Sequence, residues 1–284
     1  MNNLKRKKKS TRKNRRVNNI RGGEPSLKNI ITIGILCWKS PATLKNTLES
    51  YKKHNLFDLA TPIIYFQERN ADSDTIAKEY GIHTILGTNK NVGIMHAFYE
   101  MVKTVKTPYF IFAECDFELI ENKEKTTKIL QDCVKLMKEE NVKLIKLRHR
   151  KNPGYPVFSR TLLPKANANL PKHNFKGFKF KLEAISFLNK PENTIKNTFI
   201  IRETPNYNYK WYICNFSHNK WSNNIFIIDM AFLKEYIVPM IEKKLKESSE
   251  TVNLEGVIWQ NMHLIETYLI AAGDGLFTHN RIDR

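Results

Sequence analysis

Tyr109-Phe110-Ile111-Phe112-Ala113-Glu114-Cys115-Asp116 is the stretch on which the reading of this chain turns. Its first five residues are apolar without alternation, the pattern of a strand covered on both faces near the middle of a parallel sheet. It then ends on two acids separated by one residue. Residues two apart on a pleated chain point the same way, so Glu114 and Asp116 can face one site. Ligands of open α/β sheets bind beyond the carboxyl ends of the strands, where these acids stand. Paired carboxylates there suit a hard cation that also takes phosphate oxygens. Spacing alone leaves a plainer reading open, that of two solvated turn residues.

The flanking sequence supplies the rest of such a sheet. Residues 30–38 form an apolar run too short for an ordinary helix, followed by Ser40-Pro41, a helix cap with proline at the first helical position. Leu44, Leu48 and Tyr51 mark that helix's buried face. Residues 62–66 read as a second strand, then a short helix capped by Asp72 or Ser73 and stopped at Gly81. Residues 83–86 read as a third strand, and Asn91-Val92-Gly93 opens a helix to about Val105. Beyond the acids, a helix over residues 123–139 and a strand over 142–147 complete the alternation, which predicts an α/β fold with a mainly parallel sheet flanked by helices. Residues 149–222, rich in Pro, Asn, Lys and aromatics, predict loops and short strands laid over the sheet. A strand over 224–228, a helix from Asp229 and a long helix over 254–270 follow. The apolar residues at 254, 258, 262, 265 and 269 carry the last of these, with Gly273 and Gly275 ending it and a short strand or an ordered tail over 276–279 closing the pattern.

The chain of 284 residues carries a formal charge of +19. More than half of that excess lies in residues 1–28, where eleven Lys or Arg meet one acid, Glu24. This tail has almost nothing apolar to bury and reads as a disordered basic extension. It suits an anionic partner such as nucleic acid or lipid, a nuclear address, or simple solubilisation. The milder excess over residues 29–284 suits an anionic substrate such as a nucleotide diphosphate. There is no apolar run of the length that spans a bilayer and no signal peptide, so the expected location is cytoplasmic or peripheral to a membrane, with the nucleus open through the tail. Cys37, Cys115, Cys133 and Cys214 are too scattered for a zinc site or a disulfide framework.

Over residues 30–284 the sequence resembles the GT-A glycosyltransferases, family 2 in particular. Ile31-Thr32-Ile33-Gly34-Ile35 with Leu44, Leu48 and Ser50-Tyr51 resembles that family's first strand and helix. Asn91-Val92-Gly93 with Ala97 resembles its N-x-G-x-x-x-A segment, and Glu114-Cys115-Asp116 stands at its D-x-D motif with glutamate first. Trp221-Ser222-Asn223-Asn224 resembles the acceptor-side segment of capsule-type members, and residues 275–281 their C-terminal end. The resemblance implies a GT-A, Rossmann-like fold with a nucleotide-sugar-binding half (29–148) and an irregular acceptor-binding half (149–284). It implies transfer of a sugar from a nucleoside-diphosphate sugar, UDP favoured, to a hydroxyl of a glycan, lipid or protein, with inversion and a bound metal, as in polysaccharide or glycan biosynthesis.

By the same resemblance Asp116 and His279 would be the metal ligands, and Arg281 a phosphate contact. Glu114 would touch the ribose or a metal-bound water. A carboxylate with a neutral imidazole suits manganese at least as well as magnesium. Gln67 and Glu68 would bond the base, with Cys37 or Trp38 lining its pocket and Asn91 bonding the nucleotide or shaping its turn. An inverting transfer needs a base for the acceptor hydroxyl; Glu255 is the candidate, with Asp229 and Asp274 in reserve. Aromatic residues between Tyr155 and Trp221 could stack on an acceptor sugar, and Arg148, Arg150 and Lys151 could meet an acidic one. The competing functions are a nucleic-acid-binding protein acting through the tail and a metal-dependent nucleotidyltransferase. The second lacks a Gly-rich phosphate loop after Ile35, and there is neither a G-x-G-x-x-G nor a P-loop.

Overall fold

The computed structural model describes residues 26–154, 190–194, 198–247 and 253–283. Its strands are β1 (Ile31–Trp38), β2 (Thr61–Gln67), β3 (Thr84–Thr88), β4 (Tyr109–Glu114), β5 (Phe117–Leu119), β6 (Val142–Arg148), β7 (Ile200–Arg202), β8 (Trp211–Asn215), β9 (Phe226–Asp229) and β10 (Leu269–His279). They join in one sheet in the order β3-β2-β1-β4-β9-β6-β10-β8-β7, with β5 paired to the end of β10. β3, β2, β1 and β4 are mutually parallel. β9 runs antiparallel between β4 and β6, which leaves β6 and β10 parallel to the first group. The carboxyl ends of β1, β2, β4, β6 and β10 therefore share one edge of the sheet, and the amino end of β9 joins them.

Helices cover both faces because the buried strands offer apolar side chains to both. On one face α2 (Pro41–Lys53) buries Leu44, Leu48 and Tyr51, and α5 (Lys123–Glu139) buries Ile129, Leu130, Cys133, Leu136 and Met137. That spacing is the helical apolar stripe, and each fully buried aliphatic side chain contributes about 1.5–3 kcal/mol. On the other face lie α4 (Gly93–Thr104), the helical stretch over residues 230–247 and the helix Leu254–Gln260. Gly34 lets this second layer close on β1, because a Cβ there would sit 2.6 Å from the Phe110 ring and 3.0 Å from Met101 Sδ. Among the described residues no helix is long and apolar enough to cross a membrane.

Several local expectations are corrected. The helix expected over 254–270 stops at Gln260, and residues 269–279 form β10 instead. Ile270, Ala271 and Ala272 are paired on one side with β6 and on the other with β8, so two ladders of hydrogen bonds override the helical period of the apolar residues. Gly275 does not end a helix. It has φ +78° inside the irregular part of β10, packed so close to β6 that a Cβ would collide with the Arg148 carbonyl.

β7 and β8 extend the sheet at its edge rather than lying over it. The first turn of α3 (Ala71–Glu79) is capped by Asn70, whose side chain accepts from Ser73 N–H, and not by Asp72 or Ser73. Of the aromatics considered for sugar stacking, Tyr207, Trp211, Tyr212 and Trp221 are buried core residues, while Tyr155, Phe158, Phe175, Phe178 and Phe180 lie outside the described residues. The basic tail, apart from residues 26–28, also lies outside them.

Candidate active site

β4 delivers Glu114 to the carboxyl edge, and α2 then holds the turn that follows. Thr47 Oγ1 donates to Cys115 O (2.7 Å), Tyr51 Oη donates to Phe117 O (2.7 Å), and Leu119 N–H donates to Ser50 Oγ (3.0 Å). This stitching places Asp116 beside the end of β10, where Phe117 stands opposite His279. His279 is fixed by its T-shaped contact with Phe117 at 5.1 Å and by the backbone of Pro153, which accepts from its N–H at 3.1 Å.

Asp116 is 1% exposed. Its Oδ2 faces His279 Nε2 at 3.2 Å and pairs with the Arg281 guanidinium. Its Oδ1 is buried and has no hydrogen-bond partner. Burial opposes ionisation of Asp116, but the imidazole and guanidinium outweigh it and hold its carboxyl below the usual range. Glu114 goes the other way. Burial above all, and then the Asp116 charge, push it up to about 7, with Arg281 and His279 pulling part of the way back and Glu255 adding a little to the rise. Two acids two residues apart thus shift in opposite directions: both are desolvated, but His279 and Arg281 bond directly to Asp116 and act on Glu114 only through space.

A cleft of about 310 Å³ opens beside these groups, lined among others by Trp38, Gln67, Asn91, Glu114 and Arg281. Trp38 faces it while Cys37, one residue earlier and on the opposite side of the pleat, is buried in the core against α2, so Cys37 is not a cleft residue. Glu68 has φ +59° and accepts from Trp38 Nε1 at 3.1 Å while pairing with Lys39 at 3.1 Å. It therefore orients the indole instead of lining the cleft. Gln67 Oε1 accepts from Val92 N–H at 2.8 Å, and Asn91 Oδ1 accepts from Gly93 N–H at 2.8 Å, so both brace the turn that opens α4.

Residues from the second half of the chain meet the same edge. Glu255 is partly buried in the first turn of the helix Leu254–Gln260, whose cap, Asn253, accepts its N–H at 3.0 Å. The Glu255 carboxylate in turn accepts from Asn223 N–H at 2.6 Å. The segment carrying Asn223 is anchored by Trp221, fully buried against Phe98 and Phe226. Of the reserve bases, Asp229 is at the opposite edge of the sheet, opposite Tyr109 at the start of β4, where it caps a helix and pairs with Lys143 at 3.4 Å. Asp274 lies in the irregular part of β10 and its carbonyl accepts from Arg150 N–H at 2.7 Å. Arg148 and Arg150 are buried: Arg148 donates to Pro153 O and Asn224 Oδ1, and Arg150 to Gly273 O, whereas Lys151 is exposed.

One feature of the site has no counterpart in the expectations. Ser40 makes no side-chain cap on α2; the carboxylate of Asp283 does, accepting from Ala42 N–H at 2.9 Å and Thr43 N–H at 3.0 Å. The exposed first turn of α2 is the only local signal, and it names no partner so far along the chain.

The donor set can be tested against a divalent cation. Among the described residues no three His, Cys, Asp or Glu side chains gather as an all-protein cage. Asp116 Oδ1, buried and unsatisfied, with His279 Nε2 near the same carboxylate, is a donor pair that fits a divalent cation.

An open, mainly parallel sheet interrupted by antiparallel β9, with antiparallel β8 and β5 added beside β10 and the D-x-D-like acids at the end of β4 beside the cleft, is the GT-A fold. Among solved structures the chain is similar to S. aureus TarS residues 1–349, with a TM-score of 0.53 and 10% identity over 88% of this chain and 60% of that one. The same TarS piece in complex with UDP matches with a TM-score of 0.51 and 12% identity, again over 88% and 60%. This chain thus spans about three-fifths of the TarS piece, and 36% of the longer TarS structure. At that identity the likeness is one of fold. No protein-family model matches the sequence, and no curated protein does.

Proposed function

We propose that this chain is a metal-dependent glycosyltransferase that moves a sugar from a nucleoside-diphosphate sugar, UDP favoured, to a hydroxyl of a glycan, lipid or protein. The observation that carries this reading is the convergence of His279 and Arg281 on Asp116, with Arg281 itself lining a cleft together with Trp38, Asn91 and Glu114. An acid with a buried, unsatisfied oxygen beside an imidazole suits a cation, and the guanidinium of Arg281 beside both suits a diphosphate. The UDP found with one TarS structure is a property of that protein, and it supports a uridine nucleotide as the first ligand to try.

In this reading Trp38, held by Glu68, offers its indole face to the base. The turn braced by Gln67 and Asn91 shapes the cleft wall. Asp116 and His279 would hold manganese or magnesium, whose charge would favour departure of the diphosphate. Arg281 pairs with diphosphate oxygens. Glu114, with its pKa near 7, can donate or accept a hydrogen bond at neutral pH, which suits a ribose hydroxyl. Glu255 takes the proton of the acceptor hydroxyl as its oxygen attacks the anomeric carbon from the face opposite the diphosphate, giving inversion. The surrounding half of the chain, residues 149–284, would receive the acceptor, and the protein would work in the cytoplasm or at a membrane surface, with the basic tail meeting an anionic partner.

Isothermal calorimetry with UDP and GDP, each with and without Mn2+, tests the donor side, and transfer from the corresponding labelled nucleotide sugars tests the reaction. Nucleotide binding indifferent to the cation and to Asp116→Ala would end the metal assignment. A nucleotidyltransferase would instead bind a nucleoside triphosphate and release pyrophosphate.

A further inference from the structure

Residues 280–283 cross the site and are pinned at every step. Asn280 N–H donates to Asp116 O at 2.7 Å, and its side-chain amide donates to Glu118 Oε1 at 2.6 Å. Arg281 pairs with Asp116. Ile282 N–H and Asp283 N–H both donate to Thr43 Oγ1, at 3.0 and 3.2 Å. The Thr43 hydroxyl donates to the Asp283 carboxylate, which also takes the two backbone N–H groups of the first turn of α2. Those N–H groups have no partner within the helix, and the positive end of its dipole favours a carboxylate there. Thr43 is 1% exposed, so the hydroxyl at the centre of the anchor is buried, while Asp283 is partly exposed.

The consequence falls on the one residue between the anchors. The backbone on either side of Arg281 is tied down, at Asn280 to the turn after β4 and at Ile282 to α2, while its side chain lines the cleft and is 34% exposed. A guanidinium on a fixed base can exchange one anion for another by side-chain rotation alone, without ordering a loop, and ordering costs are what weaken a contact made by a mobile segment. We infer that Asp283 and Thr43 are positioning residues: they clamp residues 280–283 so that the Arg281 guanidinium, paired here with Asp116, is poised to take the diphosphate of a nucleoside diphosphate. This deepens the proposed function and rests on it for the identity of the ligand.

The test uses the full chain with Mn2+ and with UDP or GDP, whichever the wild type binds, and compares Arg281→Ala, Asp283→Ala, Thr43→Val and the double variant Asp283→Ala/Arg281→Ala by calorimetry. Arg281→Ala should weaken nucleotide binding by about 10- to 100-fold, the range of one charge-assisted contact. Asp283→Ala and Thr43→Val should each weaken it by about tenfold in the wild-type background, and Asp283→Ala should add nothing once Arg281 is alanine. A merely structural cap would lower thermal stability equally in both backgrounds and leave nucleotide affinity alone. Full affinity in Asp283→Ala, or a loss that adds to that of Arg281→Ala, overturns the inference. Hydrogen–deuterium exchange of residues 279–283 gives a reading without nucleotide: it should quicken in Asp283→Ala and stay slow in Arg281→Ala, and unchanged exchange in Asp283→Ala overturns the clamp. A wild type that binds neither nucleotide defeats the functional reading and the diphosphate half of this inference, while the exchange result still decides the clamp.

Discussion

His279 Nε2 stands 3.2 Å from Asp116 Oδ2, joining the last residue of β10 to the turn that follows β4. The pair puts an imidazole against a carboxylate whose other oxygen is buried without a partner. Replacing Asp116 by Asn keeps the shape and removes the charge that gathers His279 and Arg281. Mn2+-dependent nucleotide binding, followed by calorimetry, is expected to fall by about 100-fold or more, about 3 kcal/mol. Unchanged circular dichroism would show that the fold survives, and retained cation-dependent binding would refute the role.

Glu255 accepts a backbone N–H from Asn223 and does not line the cleft beside Glu114. Glu255→Gln should therefore leave nucleotide affinity within about twofold while transfer falls by about 10²- to 10⁴-fold, the usual contribution of a general base. Undiminished transfer by this variant removes Glu255 from the mechanism.

Glu114 gives stability a pH dependence of definite sign. Its pKa rises from the ordinary 4.5 to about 7 on folding, so between those values the native state holds a proton that the unfolded state has lost. Stability then falls as pH rises through that window, by at most about 3 kcal/mol. Glu114→Gln removes the titration. In urea unfolding with a chelator present, the variant should gain on the wild type between pH 4.5 and pH 8; a stability difference that stays constant across that range contradicts the shift.

Gly275 combines φ +78° with a backbone approach to Arg148 that leaves no room for a side chain. Gly275→Ala is expected to cost about 2–4 kcal/mol, from left-handed strain together with overpacking. Thermal unfolding measures this directly. Gly256→Ala is the control, since a Cβ there meets nothing within 4 Å and the position is helical; it should be neutral or slightly stabilising.

Much of the half over residues 29–148 was legible in the sequence. The apolar run of β4, the Pro41 start and buried stripe of α2, and the Asn91-Val92-Gly93 turn all declare themselves through local periodicity and turn chemistry. Glu114 and Asp116 could be placed at the sheet's edge because a strand's end is a local fact. Their different characters could not, since burial and the nearness of His279 and Arg281 set them apart.

Where long-range pairing competes with local preference, only the tertiary structure decided. The apolar spacing after Leu254 is helical, yet residues 269–279 became β10 because β6 and β8 offered hydrogen bonds on both sides. Cys37 and Trp38 were equivalent candidates until the pleat turned one into the core and the other into the cleft. The Asp283 cap on α2 joins segments far apart in the chain, and no local pattern encodes it. The sequence by itself determined which segments could be strands, helices and turns, because those preferences act over a few residues. Partner, face and charge environment came from contacts between distant segments, which exist only once the sheet has closed its core.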